Sequence, residues 1–232
     1  MTDYFEALAA TWPAETERLG PWTLRRATGA GSRVSAATLD GAEGDIGAAE
    51  AGMRAMGQRP LFMIRPGETA LDAALMARGY AVEDPTILFT APVADLAAEA
   101  IDWSVVRCDG VLTRMAELWD ETGIGAARRA VMARAAGPKT FLLGREGDRP
   151  AGVAFAALSG EVAMLHALAI APAARRKGLG ARVTRAAAAW AGGLGAHELA
   201  LVVTRANAGA VALYAGLGMR EAAGYHYRRA MD

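Results

Sequence analysis

The segment Ala171-Pro-Ala-Ala-Arg-Arg-Lys-Gly-Leu-Gly-Ala181 decides how the second half of this chain folds. The apolar run Val162–Ile170 precedes it, as expected of a buried strand. An alanine-rich stretch with helical spacing of its large side chains follows it: Leu179, Val183, Ala187 and Trp190. Two glycines at a helix start allow backbone N–H groups to converge where the helix dipole favours an anion. The sequence therefore predicts a phosphate-binding loop.

Two common classes of phosphate loop are excluded by the residues that follow the glycines. A P-loop ends in Gly-Lys-Ser/Thr, whereas Gly180 is followed by Ala181 and Arg182. A dinucleotide-binding loop requires a third small residue where Val183 stands, and an acidic ribose partner about 20 residues further on. Glu198 alone is weak support for such a partner. Neither a nucleoside triphosphate nor a dinucleotide is expected.

Composition limits the class of protein. The 232 residues suit two small domains, and 25 basic against 25 acidic residues give a net charge of +0, so no nucleic-acid partner is expected. One cysteine, Cys108, and three histidines exclude an internal disulfide and predict no metal site. The N-terminus shows no signal-peptide pattern, so a cytoplasmic protein is expected. The apolar span Ala151–Ala174 contains Gly, Pro, Glu and His. This composition is typical of a β-hairpin rather than of a membrane helix.

The pattern from Asp102 onward predicts a short strand, two helices, three strands, a helix, a strand, a helix and a final strand. Asp109 is expected to cap the first of these helices, whose apolar residues recur at helical spacing: Val111, Leu112, Met115, Leu118 and Trp119. Val162–Ile170 and Arg220–Arg229 are predicted strands. The expected class is therefore α/β (α+β), with a mixed, mostly antiparallel sheet flanked by helices.

Arg-x-x-Gly-x-Gly, formed by Arg175, Gly178 and Gly180, resembles the acyl-CoA pyrophosphate loop of the GNAT superfamily of N-acetyltransferases. The resemblance extends upstream through Met164–Pro172 and downstream through Asn207–Met219, in the family's order and spacing. It covers the chain from about Asp102 to its end. The resemblance implies the GNAT fold for residues 96–232, acetyl-CoA as cosubstrate, and no metal.

The resemblance also implies which residues hold the cofactor. The strand before the loop would be separated from its neighbour, which leaves the N–H groups of Leu168 and Ile170 for the pantetheine arm and the thioester oxygen. The residues implied to bind acetyl-CoA are Leu168, Ala169, Ile170, Arg175, Arg176, Lys177, Gly178, Leu179, Gly180, Ala181 and Asn207. Asn207 also suits an ordinary helix cap.

Tyr214 occupies the position of the family's usual general acid. A phenol titrates near pH 10 and therefore remains able to donate a proton to the departing thiolate at neutral pH. His166 matches the Leu-His-x-Leu-Ala pattern of aromatic-amine acetyltransferases and is implied to accept the amine proton, directly or through water. The alternative for Tyr214 is a tyrosine packed on a helix face with its hydroxyl at the surface. The alternative for His166 is a histidine in a half-buried strand whose hydrogen bonds are all made within the protein. Glu161, in a predicted turn, is a second candidate base.

Residues 1–95 resemble a degenerate GNAT-like half. The order strand, helix, strand over Leu61–Ile64, Leu71–Tyr80 and Ile87–Thr90 parallels the end of the second half. The segment Asp40–Gly47, at the position of the phosphate loop, has no arginine and carries acidic residues that would repel pyrophosphate. An unrelated α+β domain is the alternative. Only the second half is expected to bind acetyl-CoA.

These features favour an N-acetyltransferase that moves an acetyl group to a primary amine by direct attack in a ternary complex. Its acceptor would be a small-molecule or peptide amine, and it would bind neither nucleic acid nor a membrane. The chain would form a homodimer. A non-catalytic acyl-CoA-binding sensor is the alternative. The acceptor pocket is only loosely indicated, by Trp119, Asp120, Glu121, Tyr225 and Tyr227.

Overall fold

The computed structural model describes residues 3–27, 29–97 and 103–231. The helices are α1 Tyr4–Thr11, α2 Ile46–Ala55, α3 Thr69–Ala77, α4 Val93–Ala97, α5 Thr113–Glu121, α6 Ala126–Arg134, α7 Leu179–Gly192 and α8 Ala208–Gly216. The strands are β1 Glu15–Leu19, β2 Trp22–Arg26, β3 Thr38–Leu39, β4 Leu61–Ile64, β5 Ala81–Pro92, β6 Val105–Cys108, β7 Lys139–Glu146, β8 Arg149–Ser159, β9 Val162–Ile170, β10 Glu198–Thr204 and β11 Arg220–Arg229.

The described residues form two compact units, each built from three separate segments of the chain. Unit 1 holds those within 1–13, 89–202 and 208–221, and unit 2 those within 14–88, 203–207 and 222–232. The first helix therefore belongs to the unit built mostly from the second half of the sequence, and most of the last strand belongs to the other unit. The predicted division into GNAT-like halves 1–95 and 96–232 stays a prediction.

The sheet of unit 1 is mixed and mostly antiparallel, as predicted. It contains the strand order β6-β7-β8-β9-β10, in which β6 to β9 are antiparallel neighbours and β9 and β10 run parallel. Gly152 of β8 lies under the side chain of Leu179 at the start of α7, whereas the ring of Phe155 lies 6.3 Å from that of Trp12, the residue after α1. Because successive strand residues point to opposite faces, helices cover both faces of this sheet.

Unit 2 pairs β1, β2 and β3 in one small sheet and β4 with β11 in antiparallel register. Its core packs the strands against α2 and α3 through buried apolar side chains, which include Trp22, Leu24, Met53, Phe62, Leu75 and Tyr80. The predicted order strand, helix, strand is present as β4, α3 and β5. The predicted counterpart of the phosphate loop leads into α2, and there the Asp45 carboxylate accepts hydrogen bonds from the N–H groups of Gly47 and Ala48. A side chain thus occupies the amides that an anion would need.

The order of elements predicted after residue 102 is confirmed, but the start of α5 is not where the sequence suggested. The helix begins at Thr113 after an extended Leu112, so Asp109 is not its cap. Val111 and Leu112 remain 41% and 49% exposed. Since neither side chain reaches the core, nothing stabilises an additional first turn.

Candidate functional site

The predicted phosphate loop ends at a helix whose first amides no side chain caps. Gly178 takes the left-handed conformation at φ 81° and stands at the N-cap position of α7, without a side-chain hydrogen bond to the helix. The first bond of α7 runs from Arg182 N to Gly178 O, at 3.1 Å. The N–H groups of residues 179–181 therefore have no acceptor within the helix, and the dipole adds positive potential there. An anion is the natural ligand of such an end.

The side chains of this loop divide into an exposed cationic group and two packing positions. Arg175, Arg176 and Lys177 are exposed, and Arg175 Nε donates to Ile170 O at 3.1 Å, which ties the loop to the end of β9. Leu179 is 1% exposed and packs on the glycines of β7 and β8. Gly180 faces α8, because a Cβ on it would lie 2.9 Å from Leu213 Cδ2. The loop is thus fixed on the sheet while its main chain and charges face outward.

Strand β9 carries a bulge next to the predicted catalytic histidine. Ala167 has a positive φ of 52°, and the register with β8 shifts between Val153↔Ala169 and Phe155↔His166. One extra residue therefore lies on β9. The Ala167 carbonyl accepts a hydrogen bond of 2.9 Å from Trp119 Nε1, and Trp119 is completely buried on α5. Trp119 therefore supports the bulge. The sequence had loosely pointed to Trp119 as a residue of the acceptor pocket, and its complete burial does not fit that position.

The bulge coincides with the end of the pairing between β9 and β10. The parallel register runs from Glu198↔Val162 to Leu201↔Leu165 and does not continue in the described remainder of either strand. Just beyond the end of β9, Ala171 N donates to Ala151 O of β8, at 2.8 Å. Because N–H groups alternate sides along a strand, those of Leu168 and Ile170 point away from β8 and toward the side that β10 has left. Ala169 instead pairs with Val153 and is buried.

His166 is a buried residue held by the end of the first helix. Its ring is 3% exposed and lies between Trp12, at a centroid distance of 5.0 Å, and Phe155, at 6.0 Å. Its Nε2 lies 2.9 Å from Thr11 Oγ1. Thr11 and Trp12 come from the half of the sequence to which His166 does not belong, so no local signal connected them with His166.

The Thr11 hydroxyl determines which nitrogen of His166 carries the proton. Thr11 Oγ1 also lies 2.7 Å from Ala7 O, and a carbonyl oxygen can only accept. The single hydroxyl proton is therefore donated to Ala7, and Thr11 Oγ1 accepts from His166 Nε2–H. In the neutral ring the lone pair then belongs to Nδ1, which makes Nδ1 the atom that could accept a proton.

Tyr214 is a buried phenol on α8. It is 6% exposed, and its ring lies 6.0 Å from that of Phe89. Burial raises its pKa well above the usual value for tyrosine, because the phenolate would lose its hydration. The hydroxyl is therefore protonated throughout the neutral range and can serve there as a general acid rather than as a base.

The other polar residues that the sequence suggested for the site lie in turns or in ion pairs. Asn207 lies in unit 2, and its N–H donates to Thr204 O at 3.0 Å in the turn before α8; its predicted contact with the cofactor stays a prediction. Glu161 lies in the turn before β9, with a side chain that is 74% exposed and 3.3 Å from His197 Nδ1. Asp120 pairs with Arg129 and Glu121 with Arg114, so these acids already have cationic partners.

Trp119→Phe tests whether the indole holds the bulge. The variant loses the Nε1–H donor to Ala167 O and some buried volume, so we expect a loss of about 2 kcal/mol in the free energy of unfolding, together with a lower kcat. Urea unfolding followed by circular dichroism measures the stability. The matched control is Trp103→Phe, since Trp103 is 81% exposed and its loss should cost less than about 0.5 kcal/mol. Equal effects of the two substitutions would contradict the assigned role of Trp119.

Comparison with known proteins adds a family and several solved structures. Residues 104–219 match the model of the acetyltransferase (GNAT) family. A GCN5-related N-acetyltransferase from Kribbella flavida superimposes with a TM-score of 0.73 at 16% identity, over 99% of this chain and 94% of that one. A functionally unknown conserved protein from Staphylococcus epidermidis gives 0.70 at 9% identity, over 94% of both chains. A tandem GNAT protein from the clavulanic acid biosynthesis pathway gives 0.59 at 14%, over 84% of this chain and 74% of that one. No curated protein sequence matches the chain.

Two further findings concern the described residues alone. They contain no group of three or more His, Cys, Asp or Glu side chains arranged to hold a metal ion. None of their helices combines the length and the apolar character that crossing a membrane requires.

Proposed function

The chain belongs to the GNAT acetyltransferase family, and from this premise we propose that it transfers an acetyl group from acetyl-CoA to a primary amine by direct attack within a ternary complex. The acceptor would be a small molecule or a peptide. The observation that carries the proposal is the uncapped start of α7, next to the bulged strand β9 whose N–H groups at Leu168 and Ile170 face away from β8.

These features match the parts of the proposed cosubstrate. The amides of residues 179–181 and the charges of Arg175, Arg176 and Lys177 suit a pyrophosphate. The unpaired edge of β9 suits the amide groups of a pantetheine arm, which would add to β9 as a short strand would. When bound, acetyl-CoA supplies an acyl group activated as a thioester.

The residues of this chain would then perform three tasks. A main-chain N–H at Leu168 or Ile170 donates a hydrogen bond to the thioester oxygen as negative charge develops on it. His166 Nδ1 accepts the proton that the amine loses, directly or through water. Tyr214 donates its hydroxyl proton to the departing sulfur, and its raised pKa keeps that proton in place until it is needed.

Cys108 does not fit a covalent route. It lies on β6, and burial together with the neighbouring Asp109 raises the pKa of its thiol. A thiol that stays protonated is a poor nucleophile. Direct transfer to the amine therefore needs no acyl-enzyme at this residue.

The proposal is tested by binding and turnover on the same protein. Isothermal titration with acetyl-CoA measures binding, and release of free thiol over a panel of primary amines measures transfer. Cys108→Ala is the control and should keep the wild-type rate. Binding of acetyl-CoA without thiol release over the panel would favour the sensor function instead, and absence of binding would contradict both functions.

Gly178→Ala is expected to weaken acetyl-CoA binding about tenfold, seen as an increase in KM with little change in kcat. A Cβ disfavours the left-handed conformation by about 1–2 kcal/mol, and it would stand where the backbone must approach the pyrophosphate. Gly160→Ala is the matched control, because Gly160 also has a positive φ, 56°, and open space around it, but lies at the other end of β9. Both variants should lose similar stability, while a comparable rise in KM for both would contradict a role specific to the loop.

A further inference from the structure

Unit 2 contains a cavity of about 590 Å³ that the proposed acyl transfer does not explain. It lies between the chain that leads from β4 into α3, the beginning of β5, and β11. Its volume is in the usual range of small-molecule sites, about 300–1,000 Å³. The charged residues and the histidine in its wall determine which ligand it suits: Arg65, Glu68, Asp72, Arg205, His226 and Arg228.

Both carboxylates of the wall already have partners. Asp72 Oδ1 accepts from Arg228 Nε at 2.7 Å and from His226 Nε2 at 2.8 Å. These two bonds hold the pKa of Asp72 below its usual value, so it is ionised and can only accept. Glu68 accepts from the main-chain N–H and from the guanidinium of Arg65. Neither acid is left to attract a cationic ligand.

Donor groups, in contrast, remain directed to the cavity. Arg228 is 7% exposed. Its Nε donates to Asp72 Oδ1 and its Nη1 donates to Tyr80 O, whereas its Nη2 makes no hydrogen bond to any described residue. Nη2 is not fully buried, so it is accessible from the cavity that Arg228 lines. Since the side chain of Glu68 turns to Arg65, no side chain caps the start of α3, which belongs to the same wall. Arg65 is further engaged by Asp40, whose Oδ1 lies 3.7 Å from its Nη1, so the donors that this wall offers to an anion are Arg228 Nη2 and the start of α3.

Apart from Thr69, Thr86 and Tyr225, the rest of the wall is apolar and includes solvent-exposed hydrophobic side chains. Met76 and Val82 are 60% and 51% exposed, and Pro66 and Pro85 lie in the same wall. Apolar groups left in water at a concave surface are typical of a binding site. A ligand that covers them would gain hydrophobic free energy in proportion to the area buried.

We propose that this cavity binds a small monocarboxylate with a short apolar chain. The carboxylate would accept hydrogen bonds from Arg228 Nη2 and lie near Arg205 and the start of α3, and the apolar chain would cover Met76 and Val82. A single negative charge suits the one guanidinium nitrogen of Arg228 that makes no hydrogen bond within the described residues. Asp72 and Glu68 would repel a dianionic phosphate more strongly than a monocarboxylate, because the repulsion grows with the charge of the ligand.

Titration calorimetry of the full chain with sodium hexanoate tests the proposal. Hexanoate should bind with a Kd of about 1 mM or tighter, and hexanamide, which has the same apolar chain and no charge, about tenfold more weakly. Inorganic phosphate is the third probe and should bind more weakly than hexanoate. No binding of hexanoate, equal binding of hexanamide, or tighter binding of phosphate would overturn the proposal.

Two variants locate the binding. Arg228→Lys keeps a positive charge beside Asp72 but removes the second guanidinium nitrogen, and should weaken hexanoate binding about tenfold. Arg205→Gln, on an exposed loop residue, should weaken it about fivefold without loss of the fold, so the test does not depend on the buried variant. Arg26→Gln is the control, since Arg26 is exposed in unit 2 outside the cavity wall. Unchanged affinity in Arg205→Gln, or an equal loss in Arg26→Gln, would place the ligand elsewhere.

Discussion

Tyr214→Phe is expected to lower kcat by about 100-fold or more while the Kd for acetyl-CoA changes little. The substitution removes only the hydroxyl, so the ring keeps its place beside Phe89 and the fold is retained. Without the phenol, the thiolate must depart without a proton from this side chain. Steady-state kinetics at saturating amine give kcat, and calorimetric titration gives the Kd.

The matched control for Tyr214 is Tyr4→Phe. Tyr4 also lies in unit 1, and its hydroxyl donates to Glu198, which serves the structure rather than the reaction. Tyr4→Phe should therefore lower stability but keep kcat. The raised pKa of Tyr214 adds a second expectation: since the folded protein holds this proton more tightly than free tyrosine does, the rate should not fall through its ionisation below about pH 10. An unchanged kcat in Tyr214→Phe would remove it as the acid.

His166→Gln is expected to lower kcat/KM by about 100-fold, the second of the two largest effects. Glutamine preserves much of the volume but offers no basic nitrogen. In the wild type the rate should fall on the acidic side, because a protonated imidazole cannot accept the proton of the amine. The variant should lose this acidic limb of the profile. A pH profile of kcat/KM for both proteins measures the difference.

Glu161→Gln separates the two candidate bases. Glu161 lies five residues from His166 along β9, about 17 Å at the usual rise per residue, and its side chain is 74% exposed. The rate of Glu161→Gln should therefore equal that of the wild type. A full rate in His166→Gln together with a reduced rate in Glu161→Gln would reverse the assignment.

Thr11→Val is expected to lower kcat/KM about tenfold, although Thr11 acts only through His166. Valine cannot accept the hydrogen bond from Nε2–H, so the ring loses the contact that leaves the lone pair on Nδ1. Thr11→Ser keeps the hydroxyl and should restore both the rate and the acidic limb of the pH profile. If serine failed to restore them, Thr11 would be a packing residue alone.

The order of strand, loop and helix around Ala171–Ala181 could be read from the sequence because its causes are local. Strand β9 has the predicted bounds Val162–Ile170, and α7 begins directly after Gly178, where a residue without Cβ adopts a positive φ. The uncapped helix start follows from the same few residues. Family resemblance then named Tyr214 and His166, and their roles remain predictions.

The start of α5 shows where local pattern was insufficient. Asp109 is a good capping residue, and the apolar spacing from Val111 onward fits a helix, yet α5 begins at Thr113. Capping contributes about 1 kcal/mol, whereas a helix turn also needs a surface to pack against. Whether that surface exists is decided by other parts of the chain.

The strand Val162–Ile170, the glycine loop after it and the start of α7 could all be predicted from their own residues, since glycine conformation and helix ends depend on near neighbours. The tertiary structure alone decided that β9 bulges at Ala167 over Trp119, and that Thr11 and Trp12 surround His166 from 154 or 155 residues away. These contacts join distant segments through packing and single hydrogen bonds, which leave no periodic trace in either segment. The loop is therefore legible in the sequence, whereas the surroundings of the proposed base exist only in the folded chain.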